Sequence, residues 1–202
     1  GIKFFESIVE DKSKIQWFPN VRKRTHYLKD KNDYNKKLVF MSHVSDEKGV
    51  GDLLDVFQAL PSDYELDIYG AIKEDKYKEL NWASKRVNYK GEISSSEVLK
   101  KLADYSVLIL PSYREGYPGI IIEAMSVGLA IISTNVGGIP EIIENGKNGV
   151  LVEPGDLDAL KRTILSINND NYSLLGSNAL KTFESNFESS IVNDRVLKTI
   201  NT

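Results

Sequence analysis

Two carboxylates, Glu115 and Glu123, stand either side of a Gly116-Tyr117-Pro118-Gly119 turn. A Pro-Gly turn followed by apolar residues from Ile120 onward reads as the opening of a helix. The first N–H groups of a helix have no partner inside it. Together with the helix dipole they suit an anion, and a diphosphate in particular. Gly119 carries no Cβ, so backbone there can approach phosphate closely. Glu115 precedes the helix and Glu123 lies within it, on the same side of the expected cleft. A carboxylate accepts hydrogen bonds from two adjacent hydroxyls, such as those of a ribose or a hexose. A lone Glu123 would also serve as a paired residue on an exposed helix face.

Other motifs lead away from competing chemistries. Asp156-Leu157-Asp158 has the spacing of an Asp-x-Asp metal motif. It follows Pro154-Gly155, where an aspartate simply caps a helix. There is no Gly-x-x-x-x-Gly-Lys-Ser/Thr loop and no Gly-x-Gly-x-x-Gly after a first strand. The first absence excludes a P-loop NTPase, and the second argues against a dinucleotide dehydrogenase. Two histidines and no cysteine argue against a zinc site, and no metal is expected. Ser133-Thr134 lacks the context of a nucleophile elbow. Asn171-Tyr172-Ser173 matches a glycosylation acceptor by chance, since no secretory signal accompanies it.

Charge and composition narrow the class further. Among 202 residues, 26 Lys and Arg stand against 29 Asp and Glu, a net charge of −3. Such a balance offers no field for a nucleic acid backbone or an anionic membrane. The short basic runs Val21-Arg22-Lys23-Arg24 and Lys36-Lys37 read as solvated surface. The absence of cysteine fits a reducing compartment. The start Gly1-Ile2-Lys3-Phe4-Phe5-Glu6 shows no signal peptide. No apolar run approaches the ~20 residues that span a bilayer. A cytoplasmic location is expected, at the inner face of the membrane in the full-length protein.

The elements that must position these residues alternate from Leu38 onward. Short apolar runs at 38–42, 66–70, 86–89, 106–110, 130–134 and 149–152 read as strands. Helical spacing recurs at 52–60, 74–82, 98–103, 120–127 and 156–167. Nearly continuous apolar strands alternating with helices imply a Rossmann-like α/β sandwich of three layers. Its mostly parallel sheet has about six strands, with helices on both faces. Ligands of such sheets sit beyond the carboxyl ends of the strands. The loops after Ser42, Gly70, Gly91, Pro111 and Thr134 are thus the ones to search. Residues 1–37 form a lead-in from a preceding domain or linker, and residues 38–168 form the Rossmann-like domain. Residues 169–202 form C-terminal helices that pack on it or cross back to another domain.

The run from Pro111 to Pro154 resembles the family 4 (group 1) glycosyltransferases of GT-B fold, in their C-terminal domain. The matching residues are Pro111-Ser112, Glu115, Glu123-Ala124-Met125, Gly128, Gly137-Gly138-Ile139-Pro140-Glu141 and Asn145-Gly146-Lys147-Asn148-Gly149-Val150-Leu151-Val152. The likeness is good over roughly 38–165. It implies that Glu115 holds the donor sugar and Glu123 the ribose of a nucleoside diphosphate sugar. Tyr117, Pro118, Gly119 and Ile120 then line the diphosphate. Glu47-Lys48-Gly49 matches the family's Glu-Lys-Gly, and Lys48 corresponds to the lysine that neutralises the leaving diphosphate. The family's preceding arginine is His43 here. An imidazole with a reference pKa of about 6.5 is a weaker, pH-dependent phosphate donor. Either His43 acts in that way, or another cation such as Arg114 substitutes, or His43 fills the end of the first strand. Gly70, Gly91 and Ile93 are candidates for base and ribose contacts, Ile93 by packing on the base. Ordinary turn chemistry is their alternative role.

The resemblance implies a retaining, metal-independent transfer of a sugar, with a UDP-sugar as donor and no cofactor, to a glycan or lipid-linked acceptor. It also implies an N-terminal acceptor domain, for which 202 residues leave no room. Gln16-Trp17-Phe18-Pro19-Asn20-Val21 resembles the family's approach to the C-terminal domain. The chain alone is then expected to be inactive in transfer, and the full-length protein to associate peripherally with membrane. A noncatalytic nucleotide-sugar or carbohydrate-binding module, or an epimerase acting on nucleotide sugars, would share donor binding. An epimerase would not account for the full run from Pro111 to Val152.

Overall fold

The structure is a computed structural model, and it describes residues 20–30, 34–82 and 86–193. The resemblance over Gln16 to Pro19 lies outside these residues. The strands are β1 (Lys37–Met41), β2 (Glu65–Tyr69), β3 (Val87–Gly91), β4 (Val107–Leu110), β5 (Ala130–Thr134) and β6 (Val150–Val152). Helices among the described residues include α1 (Val50–Gln58), α2 (Asp75–Lys78), α3 (Ser95–Leu102), α4 (Gly119–Val127), α5 (Ile139–Ile142), α6 (Leu157–Ser166) and α7 (Asn169–Asn186). A 3-10 turn, Asp46–Lys48, precedes α1.

All six strands pair in parallel, in the order β3-β2-β1-β4-β5-β6. Burial explains their composition. Every residue of β4 and β5 is buried, as is every residue of β1 after Lys37. Strands covered on both faces need continuous apolar runs, and Val107-Leu108-Ile109-Leu110 is one. The chain leaves β1 toward β2 and leaves β4 toward β5 in opposite directions. Right-handed crossovers then put the helices on opposite faces. Accordingly α1 packs on α6, while α4 packs on both α3 and α7.

Helix ends follow local chemistry. Asp156 accepts the N–H of Ala159 at 2.8 Å and so caps α6, as its position after Pro154-Gly155 predicts. Gly128, with φ 79°, ends α4 in the left-handed conformation. Asn171 is engaged in the capping box of α7 with Asn168. One expectation changes. The helix predicted over 74–82 is a single turn, Asp75–Lys78. The indole of Trp82 donates to the Tyr77 carbonyl at 2.9 Å, taking an acceptor that a continuing helix would give to its own backbone.

Residues 20–30 lie along α4 and the end of α7. Lys29 N–H bonds the Val127 carbonyl, Arg22 pairs with Glu188 in a parallel bridge, and the Tyr172 hydroxyl donates to the Asp30 carbonyl. The apolar face of α7, with Tyr172, Leu175, Ala179 and Phe183, is buried in the common core. No helix among the described residues is long and apolar enough to cross a membrane.

Candidate functional site

The sheet changes winding direction between β1 and β4, and at such a switch point the loops beyond the strand ends part to leave a crevice. The loop after β1 carries His43 and Lys48, and the loop after β4 carries Glu115. Lys48 Nζ lies 2.9 Å from Glu115 Oε1 and donates to the Arg114 carbonyl at 3.0 Å. Glu47 is also near, at 3.6 Å. Side-chain exposure is only 15% for Lys48 and 10% for Glu115. Removing two charges from water is costly, so such a pair persists only with further hydrogen bonds. Ser112, itself buried, donates its hydroxyl to the same Glu115 oxygen at 2.8 Å.

Close backbone approach holds these loops in register. Gly49 has φ 72°, and a Cβ there would overlap the Pro111 carbonyl. Its neighbour Glu47 accepts the N–H of Tyr113. On the other side Gly137, with φ 55°, packs onto the Glu115 carbonyl, where a Cβ would likewise overlap. Gly138 N–H bonds the Gly116 carbonyl at 2.8 Å. The Gly137-Gly138 pair thus positions Glu115 from the loop after β5. The hydroxyls of Ser133 and Thr134, at the end of β5, donate to the carbonyls of Leu110 and Ser112. Sequence reasoning gave these four residues no individual task, because each acts on a neighbouring loop or strand distant in the chain; Ser112, likewise unassigned, acts on Glu115 within its own loop.

The 3-10 turn that presents Lys48 is stapled from below. Asp46 accepts from the Lys76 ammonium and from the Tyr77 hydroxyl, and its N–H donates to Glu74 at 2.8 Å. The Lys76 hydrogen bond, then that of Tyr77, holds the Asp46 carboxyl below the ordinary carboxylate range.

Glu123 lies one turn into α4, half-buried. Arg22 Nε donates to its Oε1 at 2.8 Å. The reading of the Arg22-Lys23-Arg24 run as solvated surface therefore fails for Arg22, whose side chain is 34% exposed. Arg24 does fit it: 66% exposed, it pairs with Glu184. A run of charges in sequence carries no information about what lies opposite it in the fold.

His43 is exposed in the loop just beyond β1. It does not fill the end of that strand, because Met41 and Val44 bury on either side while His43 points away from the core. Arg114 is exposed beside Glu115. Gly70 closes β2, its N–H on the Gly91 carbonyl and its own carbonyl on the Tyr89 hydroxyl. Gly91 ends β3 with φ 79° and open space beside it. Ile93 packs partly against the core. Gly70 abuts the start of the loop after β1, where a Cβ would overlap the Ser42 carbonyl, while Gly91 and Ile93 lie at the end of β3. Pro118 is buried at the cap of α4, and Tyr117, Gly119 and Ile120 are half-buried around it. Burial raises the Tyr117 hydroxyl above the usual phenol range, with Glu141 adding to the shift. Among the described residues no three His, Asp or Glu side chains come together to hold a metal ion.

Comparison with known proteins places this arrangement. A family model described as Glycosyl transferases group 1 matches residues 35–170. An uncharacterized glycosyltransferase of Methanocaldococcus jannaschii is 32% identical over 167 residues, 79% of this chain and 46% of its own length. The capsular polysaccharide biosynthesis glycosyltransferase CapM of Staphylococcus aureus is 27% identical over 184 residues, 87% of this chain and 48% of its own. The chain spans about half the length of the curated relatives it matches. Anabaena HepE, solved in complex with UDP-glucose, shares the fold with a TM-score of 0.74 at 23% identity, over 83% of this chain and 49% of its own.

Proposed function

The chain belongs to the group 1 glycosyltransferases, with the fold of their C-terminal GT-B domain, and on that premise we propose that it binds the nucleotide-sugar donor. The observation that carries this reading is the Lys48–Glu115 pair at the switch point, in the loop leading directly into α4. A uridine donor is supported by HepE, whose structure holds UDP-glucose. A glycan acceptor is supported by the name of CapM.

In this reading the diphosphate lies against the first N–H groups of α4, with Lys48 as its nearby cation. The bond between the sugar's anomeric carbon and the diphosphate oxygen breaks, and its electron pair leaves with the diphosphate. Lys48 and the helix start stabilise that charge in place of a metal ion. The acceptor hydroxyl forms the new bond to the anomeric carbon on the same face and passes its proton to the departing diphosphate oxygen. Glu115 orients sugar hydroxyls. Glu123 receives ribose hydroxyls, and Gly70, Gly91 and Ile93 border the base. The acceptor binds on a second domain, and the whole protein works at the cytoplasmic face of a membrane.

Calorimetry of these 202 residues with UDP, GDP and their sugars tests donor binding. Binding of at least one nucleoside diphosphate is expected, and binding of none would overturn the reading. Sugar transfer by this chain alone is expected to be negligible. Acceptor positioning is worth up to about 7–11 kcal/mol in well-oriented systems. Robust transfer without further residues would overturn the division of labour.

A further inference from the structure

Arg22 is placed where a surface arginine has no reason to be. Its backbone is fixed on both sides, N–H to the Phe187 carbonyl and carbonyl to the Ser189 N–H, each at 3.0 Å. One residue pair earlier, the Asn20 side chain donates to the Tyr117 carbonyl, in the turn that opens α4. From this strap the guanidinium reaches over the first residue of α4. Nε holds Glu123 and Nη1 donates to the Val21 carbonyl at 3.0 Å. Nη2 lies 2.5 Å from where a Cβ at position 119 would stand. Any side chain at 119 would displace it, and Gly119 leaves it room.

A cation at the positive end of a helix dipole is unfavourable by itself. Glu123 offsets that cost, and an arriving diphosphate would reverse its sign. The loop after β1 contributes one lysine, already tied to Glu115, and the exposed His43. A guanidinium presents five donors in a planar fork, with capacity beyond the bonds to Glu123 and Val21. We propose that Arg22 is a phosphate-binding residue of the donor site, supplying from the lead-in segment a guanidinium beside the opening of α4. This rests on the donor-binding reading above. The Arg22–Glu123 pair then serves two adjacent parts of one ligand, the carboxylate toward ribose and the guanidinium toward phosphate. Lead-in segment and domain become one binding unit.

The test compares wild type with Arg22→Ala, Arg22→Lys and Arg24→Ala, titrating UDP and uridine by calorimetry and recording the Tm of each variant. Arg22→Ala should weaken UDP about tenfold or more, the loss of a charge-assisted hydrogen bond, and leave uridine within about threefold. Arg22→Lys keeps the charge without the fork and should fall between, while Arg24→Ala should match wild type. If Arg22→Ala lowers Tm, the UDP-to-uridine ratio of Arg22→Lys carries the comparison. Unchanged or tighter UDP binding in both Arg22 variants would overturn the proposal, showing a structural strap or a competitor for Glu123. Equal losses for UDP and uridine would overturn it too, since Arg22 would then act only through Glu123. Those outcomes leave donor binding by wild type intact. Failure of wild type to bind UDP would overturn the donor reading and this inference together.

Discussion

Lys48 Nζ and Glu115 Oε1 meet at 2.9 Å across the point where the sheet reverses its winding, with both side chains largely out of water. The lysine is therefore not a solvated surface charge, and the two residues must be tested together. Lys48→Ala should weaken UDP about tenfold or more and uridine little. Glu115→Ala should keep or improve UDP affinity, because the lysine loses its competing carboxylate, and should weaken UDP-sugar relative to UDP. Both variants should also lose stability, since each leaves a mostly buried charge without its partner. Denaturant midpoints beside the titrations separate the two effects.

Glu123→Ala should behave differently. A carboxylate directed to ribose hydroxyls serves nucleoside, nucleoside diphosphate and nucleotide sugar alike. Uridine, UDP and UDP-sugar should all weaken by similar factors, about tenfold or more. Selective loss of UDP-sugar would move Glu123 from the ribose to the sugar.

Binding of UDP should be the same in excess chelator and in millimolar Mg²⁺ or Mn²⁺. The charge of the diphosphate is met by Lys48 and the opening of α4. Calorimetry with and without chelator checks this, and binding that required the metal would remove the phosphate site as drawn.

His43 is exposed, so His43→Arg should leave Tm within a degree or two, as surface substitutions do. A phosphate contact by His43 predicts that His43→Ala weakens UDP while His43→Arg keeps or improves it. Calorimetry of UDP on the three proteins checks this, and equal affinity of wild type and His43→Ala would eliminate the phosphate role.

Gly137→Ala should destabilise the fold by about 1–3 kcal/mol, through strain at positive φ and overlap with the Glu115 carbonyl. It should also weaken UDP-sugar more than UDP, because the loop that moves is the one holding Glu115. Thermal unfolding and paired titrations measure both.

Much of this was legible in the residue order. The six strands follow from apolar runs whose length and continuity are local properties, and each was found within a residue or two. The Asp156 cap and the opening of α4 at Gly119 are equally local, set by chemistry within one helical turn. The pairing order of the strands is not local. It alone sets the loop after β1 beside the loop after β4, so that Lys48 reaches Glu115 and Gly137 can press on the same loop from β5. Arg22 marks the boundary most clearly. Its sequence neighbours Lys23 and Arg24 suggested a solvated run, while its role depends on Glu123, which only the docking of the lead-in segment on α4 brings within 2.8 Å. A side chain's type is written in the sequence, but its partner is chosen by contacts between segments far apart in the chain, and those exist only once the sheet has formed.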